Sequence, residues 1–405
     1  MFQSRYRSTA AFMVGSWLLA AAAASARPVN LVRTEFVSPV SGNPVASGAR
    51  LLQAVADITG PSAANPWLVK VEPGVYDLDG QSLAMRPFVD VEGSGEGVTL
   101  VRSTVNGLGT VRGADDAELR RLTVLNTAAA NAIALRNDAI RFSASHVACV
   151  AQGGSGSTGV VNFAEGGAFR DMTVRAEGTT GATGVSTDGG LLLRVRVYAS
   201  GSTFVFGVFS AASHGEITDV TAEAVGDSYA AAFRNEAGDP LLRNVHAIGR
   251  GANISEGIVN GAGSAASIRG AVIEVTGGAD FASGIRNEFS SAAISDATIT
   301  VAAPSSAFGV TSSFSGTPSL ENVTLRVTAG GNGVGVQSDA TQVTVEGSRI
   351  SADGFSLQNG FGSPATSISV GASRLEGAVD PGAGTLRCAA SYDQAFAALG
   401  AACLP

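Results

Sequence analysis

A short pattern of apolar and polar residues returns about every 25 positions along most of this 405-residue chain. In the copy ISDATITV, residues 294–301, apolar or small residues stand first, fourth, sixth and eighth. Copies begin at Leu119, Phe142, Phe169, Leu192, Ile217, Leu242, Ile268, Ile294, Leu320, Val345 and Val370. Steps this regular indicate a repeat architecture.

A second pattern lies upstream of most copies and drifts in step with them. The pattern has four positions. Glycine typically comes first, valine or isoleucine second, any residue third, and asparagine, serine or threonine fourth. The copies are GVVN at 159, GVST at 184, GVFS at 207, AFRN at 232, GIVN at 257, GIRN at 284, GVTS at 309 and GVQS at 335. One unit of about 25 residues therefore carries at least two short strands with their turns.

The residues inside each copy alternate between two faces. Ala297 and Ile299 belong to inward columns of small or apolar residues, whereas Thr298 between them faces water. That water-facing column comprises Thr123, His146, Thr173, Arg196, Thr221, His246, Val272, Thr298, Thr324, Arg349 and Arg374. Alternation at a fixed pitch predicts an all-β, single-stranded parallel β-helix (β-solenoid) of about 11 or more coils.

The two ends of the chain differ from the repeat. Arg5 and Arg7, an apolar stretch and the sequence ASA predict a signal peptide over residues 1–26, cleaved near Ala26. We expect an N-terminal cap and first coils over 27–118, repetitive coils over 119–380 and a C-terminal cap over 381–405. A capping helix is predicted over Ser47–Ile58, with Ser47 as its N-cap. The product would be exported, whether periplasmic, on the cell surface or secreted.

The three cysteines divide unequally. Cys388 and Cys403 are predicted to form a disulfide that staples the C-terminal cap, in which Tyr392–Leu399 closes the last coil. Cys149 is left over, and its place in the repeat favours a buried thiol over a nucleophile.

One region resembles a known family. NPWLVKVEPGVYDLDG at 65–80 and VDVEGSGEGVTLV at 89–101 resemble the opening coil of right-handed parallel β-helices of the pectin-lyase-like superfamily. The repeats from 119 to about 377 are similar to those of bacterial exported β-helix proteins of unassigned function. The resemblance implies the fold and its right-handedness, and extends over nearly the whole mature chain. It is not specific to an activity.

Several functions are disfavoured by the sequence. The net charge of −8 argues against nucleic acid as a partner, and no later stretch is apolar enough for an integral membrane segment. The motif series of polygalacturonases, pectin methylesterases and pectate lyases are absent from the sequence. Neither a metal site nor a cofactor is indicated.

Two polar columns are explained by structure. One is expected to form a hydrogen-bonded ladder between coils, and comprises Asn137, Asn162, Thr187, Ser210, Asn235, Asn260, Asn287, Ser312, Ser338 and Asn359. The other is expected to occupy a bend that each coil repeats, and includes Asp171, Asp219, Asn244, Asp296 and Asn322.

The repeat leaves a few charged residues unexplained. Arg243, Arg269, Arg286, Glu288 and His246 form the candidate substrate-binding set, in which the registered pair Arg243 and Arg269 would clamp a uronate or sulfate group. Two hypotheses follow. One is a non-catalytic binding or scaffold module associated with acidic polysaccharide. The other is a divergent polysaccharide lyase or glycoside hydrolase that uses these residues. No residue pattern decides the oligomeric state.

Overall fold

Parallel strands stack in coils of about 25 residues, as the repeat predicts. The computed structural model describes residues 33–211, 214–261, 263–339, 341–360 and 366–404. The predicted signal peptide lies outside the described residues, and the proposed domain boundaries stay predictions.

The first coils contain short strands and one helix. In chain order they are β1 (Arg33–Val37), α1 (Pro44–Asp57), β2 (Trp67–Val71), β3 (Gly74–Asp77), β4 (Leu83–Ala84), β5 (Val89–Glu92), β6 (Thr99–Ser103) and β7 (Val111–Arg112). The next coils have longer strands: β8 (Glu118–Asn126), β9 (Ala132–Asn137), β10 (Ser143–Gln152), β11 (Gly156–Asn162), β12 (Ala168–Glu177), β13 (Gly181–Thr187), β14 (Leu191–Gly201) and β15 (Phe204–Ser210).

Most later coils contain three separate strands. They are β16 (Glu216–Thr218), β17 (Thr221–Gly226), β18 (Tyr229–Asn235), β19 (Leu241–Arg243), β20 (His246–Gly251), β21 (Ile254–Asn260), β22 (Ser267–Arg269), β23 (Val272–Gly277), β24 (Phe281–Glu288), β25 (Ala293–Ser295), β26 (Thr298–Ala303), β27 (Ala307–Ser313), β28 (Ser319–Glu321), β29 (Thr324–Ala329), β30 (Gly333–Asp339), β31 (Gln342–Glu346), β32 (Arg349–Asn359), β33 (Ser367–Gly371), β34 (Arg374–Asp380) and β35 (Thr385–Ala389).

The strands form three parallel ladders, which we call A, B and C in the order that each coil visits them. Ladder A runs through β16, β19, β22 and β25; ladder B through β17, β20, β23 and β26; and ladder C through β15, β18, β21, β24 and β27. In β8, β10, β12 and β14 one long strand serves both A and B. The predicted all-β parallel β-solenoid is therefore confirmed, with about 12 turns.

A residue with left-handed backbone separates ladders A and B in successive coils. The φ angles at this position lie between 46° and 65°. The residues are Arg121, His146, Asp171, Arg194, Asp219, Asn244, Gly270, Asp296, Asn322, Gly347 and Ala372. The predicted bend column is confirmed, because all of its named members have this conformation. Aspartate, asparagine and glycine tolerate it better than other residues do.

The register predicted for one copy is wrong. Ala144 pairs with Leu119 and Phe169, so the strand copy begins at Ala144 instead of Phe142. Phe142 resembles an inward strand residue in the sequence because its side chain is also buried. Its ring centre lies 6.2 Å from that of Phe169. His146 consequently lies at the bend, and it does not share the water-facing column of His246.

The predicted asparagine ladder is confirmed in two stretches, from Asn137 to Thr187 and from Asn235 to Ser312. All ten members are buried, and the Asn137 amide donates to Asn162 Oδ1 at 2.7 Å. Asn235 likewise donates to Asn260 Oδ1 at 2.8 Å, and Asn260 donates to Asn287 Oδ1 at 2.9 Å. Each of these three amides thus donates to its buried neighbour one coil further along the chain.

The N-terminal helix is present, but its predicted start and cap are wrong. α1 begins at Pro44, and Asn43 is the N-cap, accepting a hydrogen bond from the backbone of Ala46 at 3.0 Å. Proline at the first helical position and asparagine before it suit a helix start. Ser47 lies inside the first turn, where its buried hydroxyl accepts from the Val40 amide at 2.8 Å. None of the described helices is long and apolar enough to cross a membrane.

The C-terminal cap contains the predicted disulfide between Cys388 and Cys403, whose Cα atoms lie 5.0 Å apart. The segment after β35 returns to the last coil, because Leu375 donates its amide to the Tyr392 carbonyl at 2.9 Å. The third cysteine, Cys149, is fully buried, and burial raises the pKa of its thiol far above the ordinary value. This is the expected state of an unreactive core thiol.

Removing the disulfide is expected to loosen the last coils. The bridge closes a loop with a sequence separation of 15 residues, for which Cys388→Ser with Cys403→Ser should lower the free energy of unfolding by about 2–3 kcal/mol. Denaturant unfolding of the oxidised, reduced and double-serine forms measures this loss. Equal stability of all three forms would contradict a stapling role.

Candidate functional site

The outer face of ladder C carries a carboxylate that is withdrawn from solvent. Glu256 in β21 is 0% exposed and is the only charged residue among the buried residues of the described ranges. Its column neighbours in the adjacent coils are Ala231 and Ser283. Because both neighbours are small, longer side chains from those coils have room to fold over Glu256.

Two such side chains cover Glu256. The Tyr229 hydroxyl in β18 donates to Glu256 Oε2 at 2.5 Å, and Arg286 Nε in β24 lies 2.6 Å from Oε1. Arg286 also donates through Nη2 to Glu256 Oε2 at 3.0 Å and through Nη1 to Glu288 Oε1 at 2.6 Å. We call Tyr229, Glu256, Arg286 and Glu288 the Glu256 network. It links three consecutive coils.

Burial governs the protonation of this network. It raises the pKa of Glu256 above the ordinary value of a carboxyl group, against the opposing effects of Arg286 and Tyr229. Burial and the nearby Glu256 together raise the pKa of Tyr229, which therefore remains a neutral hydrogen-bond donor. A perturbed carboxyl group of this kind is more common at functional sites than elsewhere on a protein.

Aromatic rings lie beside the network on the same outer face. The ring of Tyr229 lies 6.1 Å from that of Phe204 and 5.8 Å from that of Phe206, which in turn lies 5.5 Å from Phe209. We call these four residues the aromatic patch. Phe204 is 59% exposed, and the Arg234 guanidinium lies 5.8 Å from the Phe206 ring centre.

A second exposed aromatic pair follows the ends of two ladder C strands. Phe289 and Phe314 stack with their rings 4.6 Å apart and nearly parallel. Both rings are more than half exposed, and both residues have positive φ angles, of 51° and 73°. Left-handed backbone is unfavourable for a bulky residue, so this display of rings carries a conformational cost.

Solved structures share the coil architecture. The chain is similar to the Dettilon tailspike protein (TM-score 0.52, 11% identity), with 88% of this chain and 68% of that one aligned. It is also similar to an N-terminal fragment of bacteriophage Phi29 gene product 12 (TM-score 0.52, 10% identity), with 86% and 68% aligned. The chain is a right-handed parallel β-helix. No protein-family model and no curated protein matches it.

The five predicted site residues do not form one cluster in this β-helix. Arg243 and Arg269 lie side by side on ladder A, and His246 lies on ladder B, 3.2 Å from Glu274. Arg286 and Glu288 lie on ladder C, where they form an ion pair at 2.6 Å. Each coil passes through all three ladders, so residues close in sequence point to different faces of the molecule. Whether any of the five binds a ligand stays a prediction.

Sequence reasoning missed Glu256, although a signal was available. Glu256 immediately precedes GIVN, and the corresponding residues before the other copies include Thr158, Thr183, Phe206, Ala231, Ser283, Phe308 and Val334. None of these seven residues is acidic, so Glu256 differs from every other residue named in this column. Aligning that column would have identified it.

Three grooves on the described part of the chain lie away from the Glu256 network. Grooves of about 440 and 480 Å³ follow ladder B, and the first of them includes Arg175 and Tyr198. A third, of about 420 Å³, is lined by residues that include Arg121 and His146 at the bend. Within the described ranges, no three His, Cys, Asp or Glu side chains converge in a way that suits a metal ion.

Proposed function

We propose that the chain is an exported polysaccharide-binding protein that holds a sugar chain against the aromatic patch. The observation that carries this proposal is the aromatic patch beside the Glu256 network, in which the ring of Phe204 is 59% exposed. A sugar ring has apolar C–H faces and a rim of hydroxyl groups. Its faces suit aromatic rings, and its hydroxyls suit the partly exposed ion pairs beside them, Arg234 with Glu236 and Arg286 with Glu288.

The charges of this face favour hydroxyl groups over anions as ligands. Arg286 lies between two carboxylates, Glu256 and Glu288, and Arg234 pairs with Glu236. The Glu256 network therefore has no cation to spare for a uronate. The disulfide between Cys388 and Cys403 supports export, because disulfides persist in oxidising compartments.

Binding to the patch is tested by replacing its most exposed ring. Phe204→Ser should weaken retention on a neutral polysaccharide about tenfold in affinity electrophoresis, because a stacking surface is lost. Phe36→Ser is the matched control, since Phe36 is 65% exposed on β1, away from the patch. Equal weakening by both variants, or no retention on any polysaccharide of a broad panel, would contradict the proposal.

Cleavage of the polysaccharide is the second candidate, favoured by the raised pKa of Glu256. Tyr229 and Arg286 cover the carboxylate completely, so they would have to move for Glu256 to reach a glycosidic oxygen. Incubation with neutral and acidic polysaccharides tests this candidate. New reducing or unsaturated ends that disappear in Glu256→Gln would favour a hydrolase or lyase, and binding without turnover would favour the binding protein.

A further inference from the structure

Arg243 and Arg269 lie directly opposite each other in neighbouring coils of ladder A. They pair in register at the ends of β19 and β22, and both side chains are exposed. Neighbouring strands lie about 4.8 Å apart, so two like charges stand close together. Among the described residues, neither guanidinium has a carboxylate within the 4.0 Å of an ion pair.

Most other outward arginines of the described coils are paired. Arg349, for example, lies 2.9 Å from Glu376, and Arg194 lies 2.6 Å from Asp171. The column of Arg243 and Arg269 instead continues through Thr218 on one side and Ser295 on the other, both of which are neutral. The pair is therefore an uncompensated cationic spot on a chain whose net charge is −8.

Nearby acidic side chains at the bend have other partners. Asp219 accepts a hydrogen bond from the Asn244 amide at 3.1 Å, and Asp296 accepts from Asn322 at 2.7 Å. The bend residue that follows Arg269 is Gly270, which has no side chain to offer. The local sequence thus leaves both guanidinium groups available.

We infer that Arg243 and Arg269 form a binding site for an oxyanion, of the kind carried by a uronate or a sulfate ester of an acidic polysaccharide. Like charges on directly opposed strand positions are unfavourable, and an anion between them removes that repulsion. Each guanidinium presents planar N–H donors that match two oxygens of a carboxylate or sulfate. The Ser295 hydroxyl extends the same column on one side, whereas on the other side the Thr218 hydroxyl donates to Glu216 Oε1 at 3.2 Å.

This site is separate from the proposed sugar-binding surface. The arginine pair lies on ladder A, whereas the aromatic patch lies on ladder C. The inference rests on the proposed function only for the source of the anion, a polysaccharide. One molecule would then contact a neutral surface of a polymer on one face and an acidic polymer on another.

The experiment measures the affinity of the full chain for inorganic sulfate, for oligogalacturonate and for a sulfated glycan by calorimetric titration at low ionic strength. Arg243→Gln and Arg269→Gln should each weaken binding at least tenfold. The matched control is Arg170→Gln, because Arg170 stands alone in the same ladder A column, between Ser145 and Leu193. Preference for oligogalacturonate identifies a uronate ligand, and preference for the sulfated glycan identifies a sulfate ester.

Two results would overturn the inference: an equal loss in Arg170→Gln, or no binding of any of the three anions by the wild-type chain. Thermal unfolding of each variant checks that it is folded. Phe204→Ser distinguishes the two proposals, because it should weaken binding of neutral polysaccharide and leave the sulfate titration unchanged. A loss of sulfate binding in Phe204→Ser would contradict two separate sites.

Discussion

Arg286→Met is expected to lower the free energy of unfolding by about 3–5 kcal/mol at neutral pH. The substitution leaves the Glu256 carboxylate buried without its counter-charge, and an uncompensated buried charge is strongly destabilising. Methionine has a similar length, so the loss cannot be ascribed to a large cavity. Urea unfolding followed by circular dichroism measures the change.

The loss should depend on pH in a defined direction. Burial raises the pKa of Glu256 in the folded chain, so the folded chain binds a proton at higher pH than the unfolded chain does. This contribution to stability is fully present below the unfolded carboxyl pKa of about 4.3 and disappears as pH rises through the folded value. Without Arg286 the folded pKa rises further. The difference in free energy of unfolding between the wild-type chain and Arg286→Met should therefore become smaller as pH falls from 7 towards 5.

Two controls isolate the buried charge. Arg349→Met removes an exposed partner of Glu376 and should change stability by about 1 kcal/mol or less. Glu256→Leu combined with Arg286→Met replaces the buried pair by apolar groups and should recover most of the loss. If the double variant is as unstable as Arg286→Met, the buried charge is not the cause.

Gly284→Val is expected to destabilise the chain by upwards of about 3 kcal/mol. A Cβ atom at Gly284 would lie 2.4 Å from Ile299 Cγ2 and 2.6 Å from the Gly309 carbonyl oxygen of the next coil. The second contact is with backbone, so side-chain rotation cannot relieve it. Valine is itself favourable in strands, so the loss measures packing.

The coils contain a natural counterpart of this substitution. Ala232 occupies the position of Gly284 in its own coil, and there the residue matching Ile299 is Ala247. Gly284→Ala with Ile299→Ala should therefore be less destabilising than the sum of the two single changes. Gly156→Val is the control, because the nearest atom to a Cβ there is 3.5 Å away. Additive losses would show that Ile299 does not limit the space.

The repeating features of the fold were predictable because every coil restates them. Twenty-five-residue spacing, inward columns and the asparagine ladder each recur many times, so one irregular copy does not hide the pattern. The error at Phe142 shows the limit, because a buried turn residue resembles a strand start in a single copy. The prediction of the helix start was wrong for a similar reason. Asn43 and Ser47 are both favourable N-cap residues, and only the folded structure distinguishes them.

The candidate sites were less predictable because they occur once. The register of Arg243 with Arg269 followed directly from the repeat, whereas His246 was grouped with them although the bend at Asn244 places it on another ladder. The Glu256 network depends on two long side chains folding diagonally across a third coil. The periodicity predicts which residues share a column, but it does not predict the direction in which a long, flexible side chain extends.

The asparagine ladder has a direction. The side-chain amides of Asn137, Asn162, Asn235, Asn260 and Asn287 each donate to the next coil towards the C-terminus. Inverting the central amide, Asn260, would bring two donors together on one side and two acceptors on the other, so the amides must orient collectively. Their aligned dipoles polarise one another along the coil axis. Each stretch of the ladder thus has unlike ends: at the N-terminal end an amide oxygen accepts from no other ladder member, and at the C-terminal end an amide donates to a hydroxyl group.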